Sequence, residues 1–255
     1  MKLAVTGKGG VGKTTLAAGL AKVFVEEGRK VFCIDADPDA NLAQTLGFPN
    51  PSNITPLIEM KELIEERTGA KPGSTSPFFK LNPDVDDIPE KFFVEHRGIK
   101  LAVMGTVRGG GLGCTCPENA FLRALLLHLF VQRDEAVILD MEAGIEHLGR
   151  GTAQAMDILI TVVEPGKKSI ETAIKIKSLA KQIGIKFVKI VGNKIRGKDD
   201  KNFILNNLSD FEFLGFIPFD NIYVEADLKN IDPFEYSPSL LEEIKGIAEK
   251  IEREC

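Results

Sequence analysis

Apolar runs of four to six residues recur along this chain and alternate with longer stretches of helical spacing. Residues 2–6, 30–34, 101–104, 136–139, 158–163 and 188–191 are rich in Val, Ile and Leu and show little polar alternation. Strands of that kind are buried on both faces, as in a sheet covered by helices on each side. Between them, residues 14–27, 118–132 and 169–183 repeat apolar positions every three to four residues. In the last of these the stripe is Ile170, Ala173, Ile174, Ile176, Leu179, Ala180 and Ile183. Such alternation predicts an α/β fold: a single doubly wound, mainly parallel sheet flanked by helices. A last helix is expected over 239–254, with Leu240, Leu241, Ile244, Ile247, Ala248 and Ile251 on one side. Its other side is acidic (Glu242, Glu243, Glu249, Glu252, Glu254), so it should pack on the sheet and not on an anionic bilayer.

The rhythm breaks at about 49–95. Prolines 49, 51, 56, 72, 77, 83 and 89, Gly73 and the acidic run Asp84-Val85-Asp86-Asp87 mark an irregular insertion. One short helix is expected near 57–67, and the whole of 1–255 reads as one domain. Composition adds exclusions: 44% hydrophobic and 27% charged residues are ordinary for a soluble protein. No apolar run approaches the ~20 residues of a membrane span. The first ten residues, MKLAVTGKGG, lack the features of a signal peptide. Four cysteines do not make a secreted disulfide scaffold, so the expected compartment is the cytoplasm. The net charge of −5 hides an asymmetry: residues 165–201 hold eleven Lys/Arg against three acids. That basic stretch is either a solvated face or a docking surface for an acidic partner or DNA.

The sharpest chemical signal follows the first strand. Gly7-Lys8-Gly9-Gly10-Val11-Gly12-Lys13-Thr14 fits G-x-x-x-x-G-K-[ST] and opens a helix. Small residues let backbone N–H groups (Gly9 to Thr15) curl around phosphates, Lys13 reaches the β- and γ-phosphates, and the Thr14 hydroxyl is offered to Mg²⁺. The expected ligand is ATP or ADP with Mg²⁺.

With Lys8 inside the cradle, GKGGVGKTT resembles the deviant phosphate loop of the nitrogenase-reductase/Min/Par group of ATPases. In that group the extra lysine crosses a face-to-face dimer to the phosphates of the other subunit, much as an arginine finger does. The resemblance covers nearly the whole chain. It implies that Asp37, in Asp35-Ala36-Asp37-Pro38-Asp39, orients the attacking water and senses Mg²⁺. It assigns Asp140, after Val137-Ile138-Leu139, to the Walker B position, with Lys8, Lys13, Asp37 and Asp140 the catalytic set. It places Asn193-Lys194 at the adenine edge and Pro218-Phe219-Asp220 in the adenine-side loop.

Cys114-Thr115-Cys116 narrows the group. One-residue spacing lets two thiolates reach one soft metal ion, but four-coordinate Zn²⁺ or thiolate-bound Ni²⁺ needs more ligands. Cys33 sits in an apolar strand, Cys255 is the last residue, and His96, His128 and His147 are scattered. Two copies across a twofold axis would supply four thiolates, and the glycine-rich run 109–113 makes the preceding loop pliable. With the run Asp140-Met141-Glu142-Ala143-Gly144-Ile145-Glu146-His147-Leu148-Gly149-Arg150-Gly151, the pair resembles the CooC-type nickel-insertion ATPases. That resemblance implies an ATP-driven homodimer carrying Ni²⁺ or Zn²⁺ between Cys114 and Cys116 of both subunits. The client would be carbon monoxide dehydrogenase or acetyl-CoA synthase. An electron-transfer role loses its second ligand, because residues 140–144 contain no cysteine. The alternative is a ParA/MinD-like partitioning or positioning ATPase using residues 165–201 for DNA or partner binding. Nothing in the sequence calls for a membrane, and nucleic acid ranks behind metal delivery.

Overall fold

A computed structural model describes residues 1–73, 78–105, 116–131, 133–145, 148, 150–223, 225 and 232–253. Within them one sheet runs in the order β3-β4-β2-β5-β1-β6-β7-β8. Its strands are β1 (Lys2–Gly7), β2 (Val31–Asp35), β3 (Val94–His96), β4 (Ile99–Val103), β5 (Ala136–Asp140), β6 (Ile158–Val163), β7 (Val188–Ile195) and β8 (Glu212–Pro218). Every pairing is parallel except β3 with β4. The expected doubly wound sheet is present, and all six apolar runs are strands. Strands β1, β2, β5 and β6 are buried along their whole length, which is why they show no alternation.

Alternate side chains of these strands feed two cores. Leu3, Val5, Cys33, Ile138 and Ile160 pack under helix α1 (Lys13–Glu26) and the C-terminal helix Pro238–Glu252. On the other face, Ala4, Phe32, Ile34, Val137 and Leu139 meet Leu63 and Ile64 of α3 (Lys61–Thr68). Phe121, Leu122 and Leu125 of α5 (Pro117–Val131) complete that cluster. Burying each such Leu or Phe contributes about 1.5–3 kcal/mol.

The C-terminal helix docks as its apolar stripe predicts, on α1 and β8. Two glycines permit the approach: a Cβ at Gly19 would lie 2.3 Å from Ile244 Cδ1, and one at Gly215 2.6 Å from Ile247 Cγ1. In α7 (Lys167–Ile183), Ile170, Ala173, Ile176 and Ala180 are buried as expected, but Ile174 is 51% exposed. That helix ends on Gly184 at φ +90, a left-handed C-cap.

The insertion differs from its expectation. The helix expected at 57–67 is a 3₁₀ turn, Leu57–Glu59, followed by α3, because Met60 takes a non-helical ψ of 65. Its apolar residues join the second core, so the segment covers the β2–β4 end of the sheet. Its last residues form β3, joined to β4 by Arg97 and Gly98 at φ +48 and +80. Positive φ at both turn residues is the type I′ hairpin geometry. The remaining helices used below are α2 (Leu42–Thr45), α6 (Arg150–Gln154) and α8 (Lys198–Asn207).

Candidate functional site

Strand β1 lies between β5 and β6, where the strand order reverses, and its carboxyl end opens the crevice in which such sheets bind ligands. The phosphate-loop motif occupies that crevice. Gly12 has φ +94, and a Cβ there would sit 2.2 Å from Asn193 Nδ2; at Gly7 it would sit 2.4 Å from the Val162 carbonyl. Neither position accepts a side chain. No side chain caps the first turn of α1, so its N–H groups remain as anion donors. Gly9, Gly10, Gly12, Lys13, Thr14 and Thr15 line a cavity of about 380 Å³, closed by Asp37, Asp39, Asn41, Gln44, Thr45 and Glu142.

Acidic groups converge on this cavity from β2 and β5. Lys13 is 6% exposed, and its ammonium lies 3.6 Å from Asp37 Oδ2. Asp37 Oδ1 also accepts the Asp39 N–H at 3.1 Å. Asp35 and Asp140 are register partners on neighbouring strands, and both are fully buried. Burial pushes Asp140 up to about 7, against a smaller opposing pull from the Thr14 hydroxyl beside it. Within ordinary hydrogen-bond geometry neither of its carboxylate oxygens has a partner. Asp35 is pushed up to about 6, also by burial, although it accepts the Leu42 N–H at 2.9 Å and the Asp37 N–H at 3.2 Å. It therefore pins the loop that carries Asp37. Sequence reasoning missed that role, although an Asp at a strand end ahead of a short helix is a capping signal.

The second lysine of the motif is tied down as well. Lys8 Nζ lies 3.3 Å from Glu164 Oε1, while Lys194 Nζ meets Glu164 Oε2 at 3.1 Å and donates to the Gly10 carbonyl at 2.5 Å. Glu164 follows the carboxyl end of β6, and sequence reasoning passed over it. Asp37 and Asp140 come from the family resemblance; the rule that ligands bind at the carboxyl ends of parallel strands points to Glu164 as well. Asn193 sits beneath the loop: its Nδ2 donates to the Val11 carbonyl at 2.7 Å and its Oδ1 accepts the Lys194 N–H at 2.8 Å. By the donor and acceptor count of an amide, one N–H and one lone pair remain for a further partner. Phe219 lies under the Arg196 guanidinium at 4.8 Å, and Asp220 Oδ1 accepts the Ile222 N–H at 2.9 Å. Asn193, Lys194, Pro218, Phe219 and Asp220 do not line the phosphate cavity but gather beside it, at the ends of β7 and β8.

Cys114 lies outside the described residues, as do His147 and Cys255. Cys116 precedes α5 and lines a second cavity of about 400 Å³ with Leu81, Arg123, Leu127 and Arg150. Arg150 opens α6, downstream of Asp140. Cys33 is buried in β2, where burial pushes its thiol far up and makes it inert. His128 pairs with Asp86 at 3.0 Å and His96 packs on Phe48, which leaves both in structural roles. Among the described residues, no group of three or more His, Cys, Asp or Glu side chains is placed to hold a metal. No described helix is long and apolar enough to cross a membrane.

The basic stretch 165–201 does not form one patch. Lys167, Lys168, Lys194, Arg196, Lys198 and Lys201 lie around the carboxyl ends of β6 and β7. Lys177, Lys181, Lys186 and Lys189 line a cavity of about 650 Å³ at the opposite end, beside Phe187 and Phe211.

A profile of the CobQ/CobB/MinD/ParA nucleotide binding domain matches residues 2–234. The chain belongs to that family. It is thus an ATPase of the MinD/ParA type. Among this family's curated members, it is 50% identical to "Carbon monoxide dehydrogenase accessory protein CooC" of Rhodospirillum rubrum, covering 94% of this chain and 91% of that one. It is 47% identical to an uncharacterized ATP-binding protein of Methanocaldococcus jannaschii, covering 89% and 88%. The MinD fold recurs in the MinC:MinD cell division complex of Aquifex aeolicus, at a TM-score of 0.69 and 21% identity over 100% and 97% of the chains.

Proposed function

We propose that this ATPase serves the maturation of carbon monoxide dehydrogenase or acetyl-CoA synthase, as a cytoplasmic single-domain protein that works as a homodimer. The observation that carries the reading is the 50% identity to the carbon monoxide dehydrogenase accessory protein, sustained over 94% of the chain. Its cargo would be Ni²⁺ or Zn²⁺, bound by Cys114 and Cys116 of both subunits. The division of the lysines between two ends of the sheet supports this reading over continuous DNA binding by residues 165–201.

In the cavity, Lys13 would neutralise the β- and γ-phosphates and Lys8 the γ-phosphate of the facing subunit. Asp37, released from Lys13, would orient the attacking water. Mg²⁺ fits beside the buried Asp140, whose carboxylate faces the Thr14 hydroxyl and would be stabilised in its charged form by a nearby cation. Thr14 and Asp37 would hold the ion, which supplies charge neutralisation at the phosphates. Asn193, Lys194, Pro218, Phe219 and Asp220 would flank the base.

The test is equilibrium dialysis with Zn²⁺ or Ni²⁺, with and without ATP. One ion per dimer is expected, with tighter binding in ATP and total loss in either Cys114→Ser or Cys116→Ser. One ion per monomer, indifferent to nucleotide, overturns the shared site.

A further inference from the structure

Glu164 stands at the meeting point of three segments, the phosphate loop and the carboxyl ends of β6 and β7. Its backbone N–H donates to the buried Ser169 hydroxyl at 3.1 Å, which fixes the residue at the end of β6. Its carboxylate then spans two ammonium groups, Lys8 at 3.3 Å and Lys194 at 3.1 Å. Lys194 continues to the Gly10 carbonyl at 2.5 Å, so the tip of the phosphate loop is tied at two points to one acid. Lys194 adopts φ +59, a conformation unusual for a side-chain-bearing residue, and the Asn193 side chain holds its N–H in place. The cluster is a built arrangement and not a chance surface pair.

We propose that Glu164 is a positioning residue that holds Lys8 on its own protomer until a nucleotide-loaded partner takes the lysine over. The proposal rests on the reading that Lys8 acts across the dimer. Two features suit such a handover. The Lys8 side chain is 40% exposed, so water screens its pair with Glu164 and the lysine can leave. When it leaves, Glu164 keeps Lys194, so no half-buried carboxylate is stranded without a cation. A carboxylate facing one lysine alone would make release costly. Here the second lysine lowers that cost and also keeps the loop shaped while Lys8 swings away. Glu164 therefore sets the threshold for dimerisation and keeps the charge reserved for catalysis out of reach in an unpaired protomer.

Glu164→Gln keeps the size and an oxygen for Lys194 but removes the charge that retains Lys8. A partly exposed pair of this kind is worth about two- to fivefold in an equilibrium. Two pairs break per dimer, so the variant's ATP-dependent dimer should be tighter by about 4- to 25-fold. The assay is sedimentation velocity over a concentration series with a non-hydrolysable ATP analogue. A second arm needs no dimer: trace acetylation of Lys8 in the nucleotide-free monomer, read by mass spectrometry, should speed up about two- to fivefold. An unchanged or weakened dimer, or unchanged Lys8 labelling, overturns the holding role and leaves Glu164 as a scaffold of the loop. If wild type stays monomeric with the analogue, the cross-dimer reading of Lys8 fails instead, and the labelling arm still decides whether Glu164 retains it.

Discussion

Replacing Asp140 with Asn removes a charge that the nucleotide-free fold accommodates poorly. Asp140 is fully buried, and its carboxyl is pushed up to about 7 by that burial. Its unfolded value is about 3.9, so between those values the native state binds the proton and the unfolded state does not. Stability therefore falls as pH rises through this window, and levels off above the folded pKa. Each pH unit costs about 1.36 kcal/mol, so moving from about pH 5.5 to pH 8 removes roughly 2 kcal/mol from wild type. Asp140→Asn resembles the protonated acid in shape and does not titrate, so it escapes that loss. Asp35, which titrates near 6, is present in both proteins and largely cancels in the comparison. For a chain of this size, roughly 2 kcal/mol is about 4–8 °C in Tm. The assay is calorimetry of both proteins without nucleotide and with a chelator, at the two pH values. The gap between variant and wild type should widen by that amount at pH 8, while the variant gains less stability from Mg-ATP. Melting temperatures that track in parallel between the two pH values would show that Asp140 is not a strained buried charge.

Lys13→Ala should abolish nucleotide binding measured by fluorescence titration, whereas Lys8→Ala should keep ADP affinity and lose turnover; equal loss of ADP affinity in both counts against a cross-dimer lysine. Asp37→Asn should bind Mg-ATP and accumulate as the ATP-bound dimer on size-exclusion chromatography, because the water loses its orienting carboxylate. Gly12→Ala combines φ +94 with a 2.2 Å approach to Asn193 Nδ2, and should cost about 1–3 kcal/mol, a lower melting temperature, and phosphate affinity.

The central sheet was legible because its strands are buried on both sides and carry unbroken apolar runs. The edges were not. Strand β3 is three residues long, and its turn is Arg97-Gly98 in place of the commoner Asn-Gly signal. Strand β8 includes Gly215 and ends in Pro218, residues that usually argue against a strand; Gly215 is there because Ile247 packs where a Cβ would be. Helix α8 buries only Ile204, so it leaves hardly any periodic stripe. At the site, residues in a contiguous motif were found and their tertiary partners were not. Nothing local marks Glu164 as the acid between Lys8 and Lys194, because those three residues meet only when β1, β6 and β7 lie side by side.

The two lysines of the loop are each paired with a carboxylate of the same protomer, Lys13 with Asp37 and Lys8 with Glu164. Phosphate binding is therefore an exchange of anions and not the filling of an empty cationic site. The two exchanges differ in order. Lys13 is buried beside the cavity, so on the proposed reading ATP entering one protomer would displace Asp37 first and free that carboxylate to orient water. Lys8 pairs with an acid just past β6 and, on the proposed reading, would meet a phosphate only when another subunit brings one. On the proposed cross-dimer role of Lys8, the first exchange would arm the protomer and the second would fire it, confining turnover to the assembled dimer. A metal held between the subunits would stabilise the same closed state, and would therefore lower the ATP concentration at which Lys8 leaves Glu164.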